Sequence, residues 1–275
     1  MSYWGGYWNV SSNPRSGWRR EPSEVYVHRV RIATYNVHKC RGLDSRVRPT
    51  RIVEVLREID ADIVALQEVV SVENGSREEH QARFIADELG LAYCIGETRR
   101  HKGGAYGNVI LSRFPFIGTS NYDLSVVGRE QRGCLRADLD LEGFGLLHVF
   151  NVHLGTAFLE RRHQARKLMD RAILKNKELR GARIMLGDFN EWTRGLTTKL
   201  LSAHLKSADI KSLLQRSKTY PGVMPILHLD HIYFEDSLEM ESLNLHRSRR
   251  ALMASDHLPL YATLKTNNSG QVAKS

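Results

Sequence analysis

The sequence predicts an α/β sandwich with mixed sheets. Strand-like and helical periodicities mix throughout the chain, and hairpin-like strand runs occupy its middle, which argues against a purely parallel doubly wound sheet. The 275 residues, 41% hydrophobic and 26% charged, suit one large globular domain rather than a disordered chain. No internal repeat at a fixed period is present.

The ordered domain is expected to start near Val25. Val30, Ile32 and Thr34 alternate with Arg31, Ala33 and Tyr35, a strand period that ends at Asn36. Pro49-Thr50 opens a helix with Ile52, Val53, Leu56 and Ile59 on one face and Glu54, Arg57 and Glu58 on the other. Asp62–Leu66 is a short apolar run suited to a buried strand, ending at Gln67-Glu68. A second helix is expected over Glu78–Leu89, stopped by Gly90. Strands are expected at Gly107–Leu111, Gly133–Leu141 and Gly145–Val152. Phe158–Leu179 reads as the longest helix, with Ala165, Leu168, Met169, Ala172 and Ile173 on one stripe and Arg161, Arg162, Arg166, Lys167, Arg171 and Lys175 on the other face. Arg183–Leu186 reads as a strand ending at Gly187-Asp188, and Leu229–Phe234, Leu238–Leu245 and Leu258–Leu264 complete the set. These boundaries give a tail over residues 1–27, a domain over 28–265 and a polar tail over 266–275.

Lys plus Arg number 40 against 31 Asp plus Glu, a formal charge of +9. Such a field concentrates anionic partners without choosing among nucleic acid, phosphorylated metabolites and acidic lipid. Cys40, Cys94 and Cys134 are odd in number and far apart, which excludes a disulfide framework and a zinc-thiolate site. The first twenty residues carry Tyr3, Trp4, Tyr7, Trp8 and Trp18 but no continuous apolar run of a secretory signal, and no stretch reaches the ~20 apolar residues of a membrane span. A cytoplasmic monomer is the expectation.

The polar punctuation carries the chemistry. Asn36, Glu68, Asn151 with His153, Asp188 with Asn190, Asp230, and Asp256 with His257 each stand at the edge of an apolar run, where a side chain is held by the strand yet faces solvent. Carboxylates and amides are hard oxygen donors that suit Mg2+ or Mn2+, which keep waters and take phosphate directly. HExxH, GxxxxGK[ST], GxGxxG at a strand-to-helix turn and GxSxG are all missing. Zinc-protease, nucleotide-fuelled, dinucleotide and serine-elbow chemistries therefore have no support.

Six motifs then occur in order: Thr34-Tyr35-Asn36-Val37-His38, Leu66-Gln67-Glu68, Asn151-Val152-His153-Leu154, Gly187-Asp188-Phe189-Asn190, Leu229-Asp230-His231-Ile232 and Ser255-Asp256-His257-Leu258-Pro259. Together they resemble the endonuclease/exonuclease/phosphatase superfamily, which includes deoxyribonuclease I, abasic endonucleases, neutral sphingomyelinases and inositol-polyphosphate phosphatases. The resemblance runs from about Arg29 to Leu264. It implies a four-layer α/β/β/α sandwich, two packed sheets flanked by helices, and a divalent-metal-dependent phosphoester hydrolase. It also implies roles. Glu68 resembles the principal metal ligand, assisted by Asn36, with Asp256 as a further ligand or a support for one. Asp188 resembles the residue that orients or deprotonates the attacking water, and Asn190 one that contacts phosphate or metal. His257 resembles the histidine beside the scissile phosphate, oriented by Asp230, and His153 a second histidine at the phosphorus or leaving group. His38 departs from the acidic residue that nuclease members often carry two positions after the asparagine.

Several polar residues have two readings. Arg132 and Asn108 could contact phosphate or be an exposed strand-end arginine and a turn residue. Asn151 could do the same or satisfy a backbone group beside His153. Glu191 and Trp192 could shape the pocket or face solvent in a loop. His228 and His231 are not assigned. For substrate, the charge and the arginine-rich face of the long helix favour a phosphodiesterase with nuclease-like activity on nucleic acid. Thr219-Tyr220-Pro221 lacks the aromatic Asp-Tyr element of abasic endonucleases. A lipid-headgroup phosphodiesterase making transient contact with anionic membrane lipid, and a non-catalytic phosphate-binding module, are the competing readings.

Overall fold

The computed structural model describes residues 29–101, 103–191, 195–208 and 229–266. The expected tails up to residue 27 and beyond Thr266, together with Trp192, Thr219-Tyr220-Pro221 and His228, lie outside the described residues.

The strands are β1 (Arg29–Asn36), β2 (Ile63–Ser71), β3 (Ala92–His101), β4 (Gly104–Ser112), β5 (Phe116–Asp123), β6 (Gly133–Leu141), β7 (Gly145–His153), β8 (Ala182–Asp188), β9 (Lys206–Ser207), β10 (Asp230–Phe234), β11 (Leu238–Leu245) and β12 (Leu260–Thr266). Among the described residues the α-helices are α1 (Pro49–Ile59), α2 (Gln81–Leu89), α3 (Phe158–Leu168), α4 (Leu196–Ser202) and α5 (Arg249–Ala254). The strands form two six-stranded sheets, ordered β11-β12-β1-β2-β4-β3 and β5-β6-β7-β8-β10-β9. Each is mixed: β1 runs parallel to β2 and β7 parallel to β8, while the other pairs are antiparallel.

Period-2 alternation explains the layering. On β1, Val30 and Ile32 enter the core between the sheets, whereas Ala33 and Tyr35 face the helix layer of α1, α2 and α5. On β7, Leu147 and Val149 face the inter-sheet core, and Phe150 and Val152 face α3 and α4. The molecule is thus a four-layer α/β/β/α sandwich, as expected. Burying one such Ile or Leu side chain stabilises the fold by about 1.5–3 kcal/mol.

Some elements depart from the periodicity. Strands β3 and β5 lie towards sheet edges and mix half-buried with exposed residues, so their alternation is blurred. Helices α4 and α5 have 7 and 6 residues, too few for a helical period to declare itself. Helix α3 ends at Leu168 rather than Leu179. The Asp170 side chain accepts from Ala172 N at 3.0 Å, and the Asp170 carbonyl accepts from Ile173 N and Lys175 N, so the chain turns instead of continuing. The charged stripe changes with it. Arg161 is buried, and its guanidinium donates to the carbonyls of Gly155 and Thr156 rather than facing solvent.

Candidate active site

The interior-facing rows of several strands end at one rim of the sandwich. Ile32, Thr34 and Asn36 form one row, and Val149, Asn151 and His153 another. Leu186 leads to Asp188, and Ile232, read backwards, to Asp230. Register aligns the row ends: Asp188 pairs with both His153 and Asp230, and Asn36 with Gln67. Alternation therefore delivers four of the candidate residues to one place.

Glu68 needs a further device. Along β2, Ile63 and Ala65 face the inter-sheet core while Val64 and Leu66 face the helices, so simple alternation would send Glu68 to the helix side. The register against β4 slips between Leu66 and Val69, and Glu68 has φ +59°. This bulge turns the carboxylate to the rim. The amide nitrogen of Asn36 then donates to Glu68 Oε1 at 3.3 Å and to Asp188 Oδ2 at 3.0 Å, which fastens the two carboxylates together across the sheets.

Asp188 Oδ2 is the centre of the site. His153 Nε2 lies 3.6 Å from it and His257 Nε2 3.7 Å. His257 Nδ1 sits 3.0 Å from Asp230 Oδ2, the carboxylate-histidine pair the motifs implied. Asp188 is itself braced by an Asx turn, in which Asn190 N donates to Asp188 Oδ1 at 2.9 Å. Asn190 adopts φ +49°, a conformation asparagine tolerates, and spends its amide nitrogen on Leu154 O at 2.9 Å. Its contacts position Asp188.

The two imidazoles are held in opposite charge states. Burial alone would favour neutral His257, but Asp230, Asp188 and Asp256 reverse this and push its pKa up to about 10. Burial dominates at His153, and Arg132 adds to it against the pull of Asp188, so His153 falls to about 4 and is neutral at physiological pH. Arg132 NH1 lies 2.9 Å from both ring nitrogens of His153, and its NH2 donates to Glu130 Oε2 at 2.8 Å. Arg132 is buried rather than exposed, and with Glu68, Thr98, Tyr106, Asn108 and His153 it lines a small cleft. Burial would raise Glu68, yet its neighbours hold it at about 2. The lowering comes from His153, then from Lys39, whose Nζ is 2.7 Å from Glu68 Oε2, and from the Asn36 amide.

Asn151, Asn108 and Glu191 take structural places, and Asp256 stays at the rim. Asn151 is fully buried: its amide nitrogen donates to Leu66 O and Val109 O at 2.8 and 2.9 Å, and its oxygen accepts from Gln67 at 2.7 Å. It staples one sheet to the other and has no donor left for phosphate. Asn108 does the same in reverse, donating to Gly133 O and Asn151 O. Glu191 is buried and accepts from Thr197 N and Thr198 N, capping α4. Asp256 is exposed on the rim, with His38 Nδ1 at 3.5 Å and the Ser255 hydroxyl at 3.3 Å. Lys39 was not singled out from the sequence, because nothing in its periodicity marks it.

Among the described residues, no three or more His, Cys, Asp or Glu side chains are grouped to cage a metal ion. The donor set instead fits an open site for a hard cation. Glu68 offers a carboxylate, and the Asn36 oxygen, which among the described residues accepts from His38 N at 3.0 Å alone, has a second lone pair to offer. One or two such ligands plus waters are what Mg2+ ordinarily takes.

A sequence profile described as the endonuclease/exonuclease/phosphatase family matches residues 33–257. The chain belongs to this family. It is 30% identical over 256 residues to the uncharacterised protein YbhP of Escherichia coli K12, covering 88% of this chain and 99% of that one. Among solved structures, the endonuclease/exonuclease/phosphatase from Beutenbergia cavernae superposes with TM-score 0.69 at 22% identity, covering 87% of this chain and 72% of that one. A mannosyl-6-phosphatase from Bacteroides thetaiotaomicron superposes with TM-score 0.66 at 19% identity, over 86% and 99%. Members of the family are phosphoester hydrolases that generally use divalent metals.

Proposed function

We propose that the protein is a Mg2+- or Mn2+-dependent phosphodiesterase that cleaves the nucleic-acid backbone. The observation that carries this reading is the single carboxylate oxygen of Asp188 set between two imidazoles and tied through Asn36 to Glu68. Glu68 and Asn36 would hold the ion, which when bound neutralises charge on the phosphoryl oxygens. Asp188 Oδ2 accepts a proton from the attacking water, its orientation fixed by Asn36 and the Asx turn. Cationic His257, held by Asp230, hydrogen-bonds a phosphoryl oxygen through Nε2, and as the water oxygen bonds to phosphorus the P–O bond to the leaving group breaks, its oxygen taking up a proton from solvent water. Neutral His153, backed by Arg132, contacts the leaving group. A +9 chain favours a polyanionic substrate.

A lipid phosphodiester is the second reading. Leu43, Val47 and Met253 are exposed on segments that join the His38 and Asp256 loops, and Phe158 and Leu159 are exposed just beyond the His153 strand. Exposed apolar side chains of this kind can enter a membrane interface. Among the described residues no helix is long and apolar enough to cross a membrane.

The test is cleavage by the purified protein with Mn2+ of single-stranded DNA, duplex DNA, RNA, cardiolipin vesicles, sphingomyelin vesicles and a sugar phosphomonoester. Cleavage of nucleic acid with the vesicles untouched supports the first reading. Cleavage of lipid alone replaces it with the second, and hydrolysis of the monoester alone overturns both.

A further inference from the structure

The loop after β1 is built in an unusual way. His38, Lys39 and Cys40 have φ of +45°, +58° and +56°, three successive non-glycine residues in the left-handed region. Each such residue is strained, and surrounding contacts must hold it there. They are identifiable. Gln81, buried on α2, donates to Lys39 O at 2.8 Å, Cys40 N donates to Val37 O at 2.7 Å, and the Cys40 side chain is buried against α1 and α2. Glu68 is strained too, at its bulge. Two strained backbone points therefore meet in one ion pair, Lys39 Nζ to Glu68 Oε2 at 2.7 Å.

The pair occupies a functional oxygen. Glu68 Oε1 accepts from the Asn36 amide nitrogen, and Oε2 is covered by the ammonium. A divalent cation on this carboxylate would meet a like charge at contact distance, where repulsion is strong. The Lys39 side chain is 30% exposed, with Nζ 5.7 Å from the ring centroid of Tyr106, which lines the cleft. The Arg99 guanidinium lies over the same ring at 4.3 Å, and Arg132 lines the same cleft. Gln81 anchors the Lys39 backbone, so release of Glu68 needs only rotation of the four-carbon stem.

We propose that Lys39 is a tethered cation that occupies Glu68 until a divalent ion arrives and then serves as a binding group for the substrate's phosphate. This rests on the metal-dependent reading above. It makes two effects of opposite sign: Lys39 weakens metal binding and strengthens phosphate binding. A lysine that only stabilised the loop would not weaken metal binding.

The test measures Mn2+ affinity from the resonance signal of the free ion, and inorganic phosphate affinity by calorimetry at saturating Mn2+. It uses the full chain and its Lys39→Met, Lys39→Gln and Lys39→Arg variants. Lys39→Met should bind Mn2+ about tenfold more tightly, equivalent to about 1.4 kcal/mol, and phosphate at least severalfold more weakly. Lys39→Arg, which keeps the charge, should stay close to the parent in Mn2+ affinity. Lys39→Gln keeps a neutral donor to Glu68 and gives the same readings if Lys39→Met fails to fold, as judged by melting in chelator. Unchanged or weaker Mn2+ binding by the neutral variants overturns the inference while leaving the metal site intact, and unchanged phosphate affinity overturns its second half. No Mn2+ binding by any form, the parent included, overturns the metal-dependent reading itself.

Discussion

Replacing Asn151 by alanine should destabilise the protein without touching the rim chemistry directly. The wild-type amide nitrogen donates to two backbone carbonyls of the opposite sheet, Leu66 O and Val109 O, and its oxygen accepts from Gln67. Alanine removes all three bonds inside a region closed to solvent. A buried partner left unsatisfied costs about 1–3 kcal/mol. The carbonyls can keep a second bond and Gln67 keeps Thr34 Oγ1 and Ala65 O, so the lower end applies to each. The sum is about 3 kcal/mol, or roughly 6–12 °C in melting temperature for a domain of this size. The assay is urea unfolding at 25 °C followed by tryptophan fluorescence, with circular dichroism as a second probe. A midpoint within error of the wild type would refute the staple. Loss of phosphate affinity at unchanged stability would return Asn151 to the phosphate-contact role first read from the sequence.

Gly187→Ala should lower the melting temperature by several degrees and activity by more than tenfold, because Gly187 has φ +144° and an added Cβ would lie 2.0 Å from Val152 O, displacing Asp188. Thermal unfolding and turnover of an activated phosphodiester check both halves, and wild-type behaviour in either contradicts the packing described. A pH effect arises far from the site, where Glu58 on α1 meets Arg250 NH1 and His246 Nε2, each at 2.7 Å. Ser248, Arg250 and His246 hold its pKa at about 2, down from 4.5. The folded pKa is depressed, so this stabilisation is fully present above about pH 5 and is lost as pH falls from 4.5 towards 2. The stability difference between wild type and Glu58→Gln, from urea titrations at pH 7, 4 and 3, should therefore shrink on acidification. A constant difference would remove the Glu58 contribution.

The parts of this molecule that obey period 2 were readable in the chain. Asn36, His153, Asp188 and Asp230 each follow an apolar row by an even step, so strand alternation alone brings them together on one rim. Glu68 was found by its motif and not by alternation, which points it the wrong way. Its delivery depends on a bulge that leaves no trace in hydrophobicity. Lys39 was invisible for a related reason: three left-handed residues without a glycine carry no propensity signal. For Asn151 the structure takes the backbone-satisfying reading, and for Asn108 neither a turn nor a rim position, because the polar layer here begins one row inside the rim with Gln67, Asn108 and Asn151. The overlong α3 had the same origin in local chemistry, since the Asp170 turn overrides an apolar spacing that continues to Ile173 and Leu174.

The most direct measurement is the turnover of bis-p-nitrophenyl phosphate by the wild type and by Asp188→Asn, at saturating Mn2+ and again in excess chelator. A carboxylate that takes the water's proton between two imidazoles should, when made an amide, cost ~10²–10⁴-fold in kcat, with the fold retained and the wild type silent in chelator. Turnover of Asp188→Asn near that of the wild type, or wild-type turnover that persists in chelator, would contradict a metal-assisted site centred on Asp188.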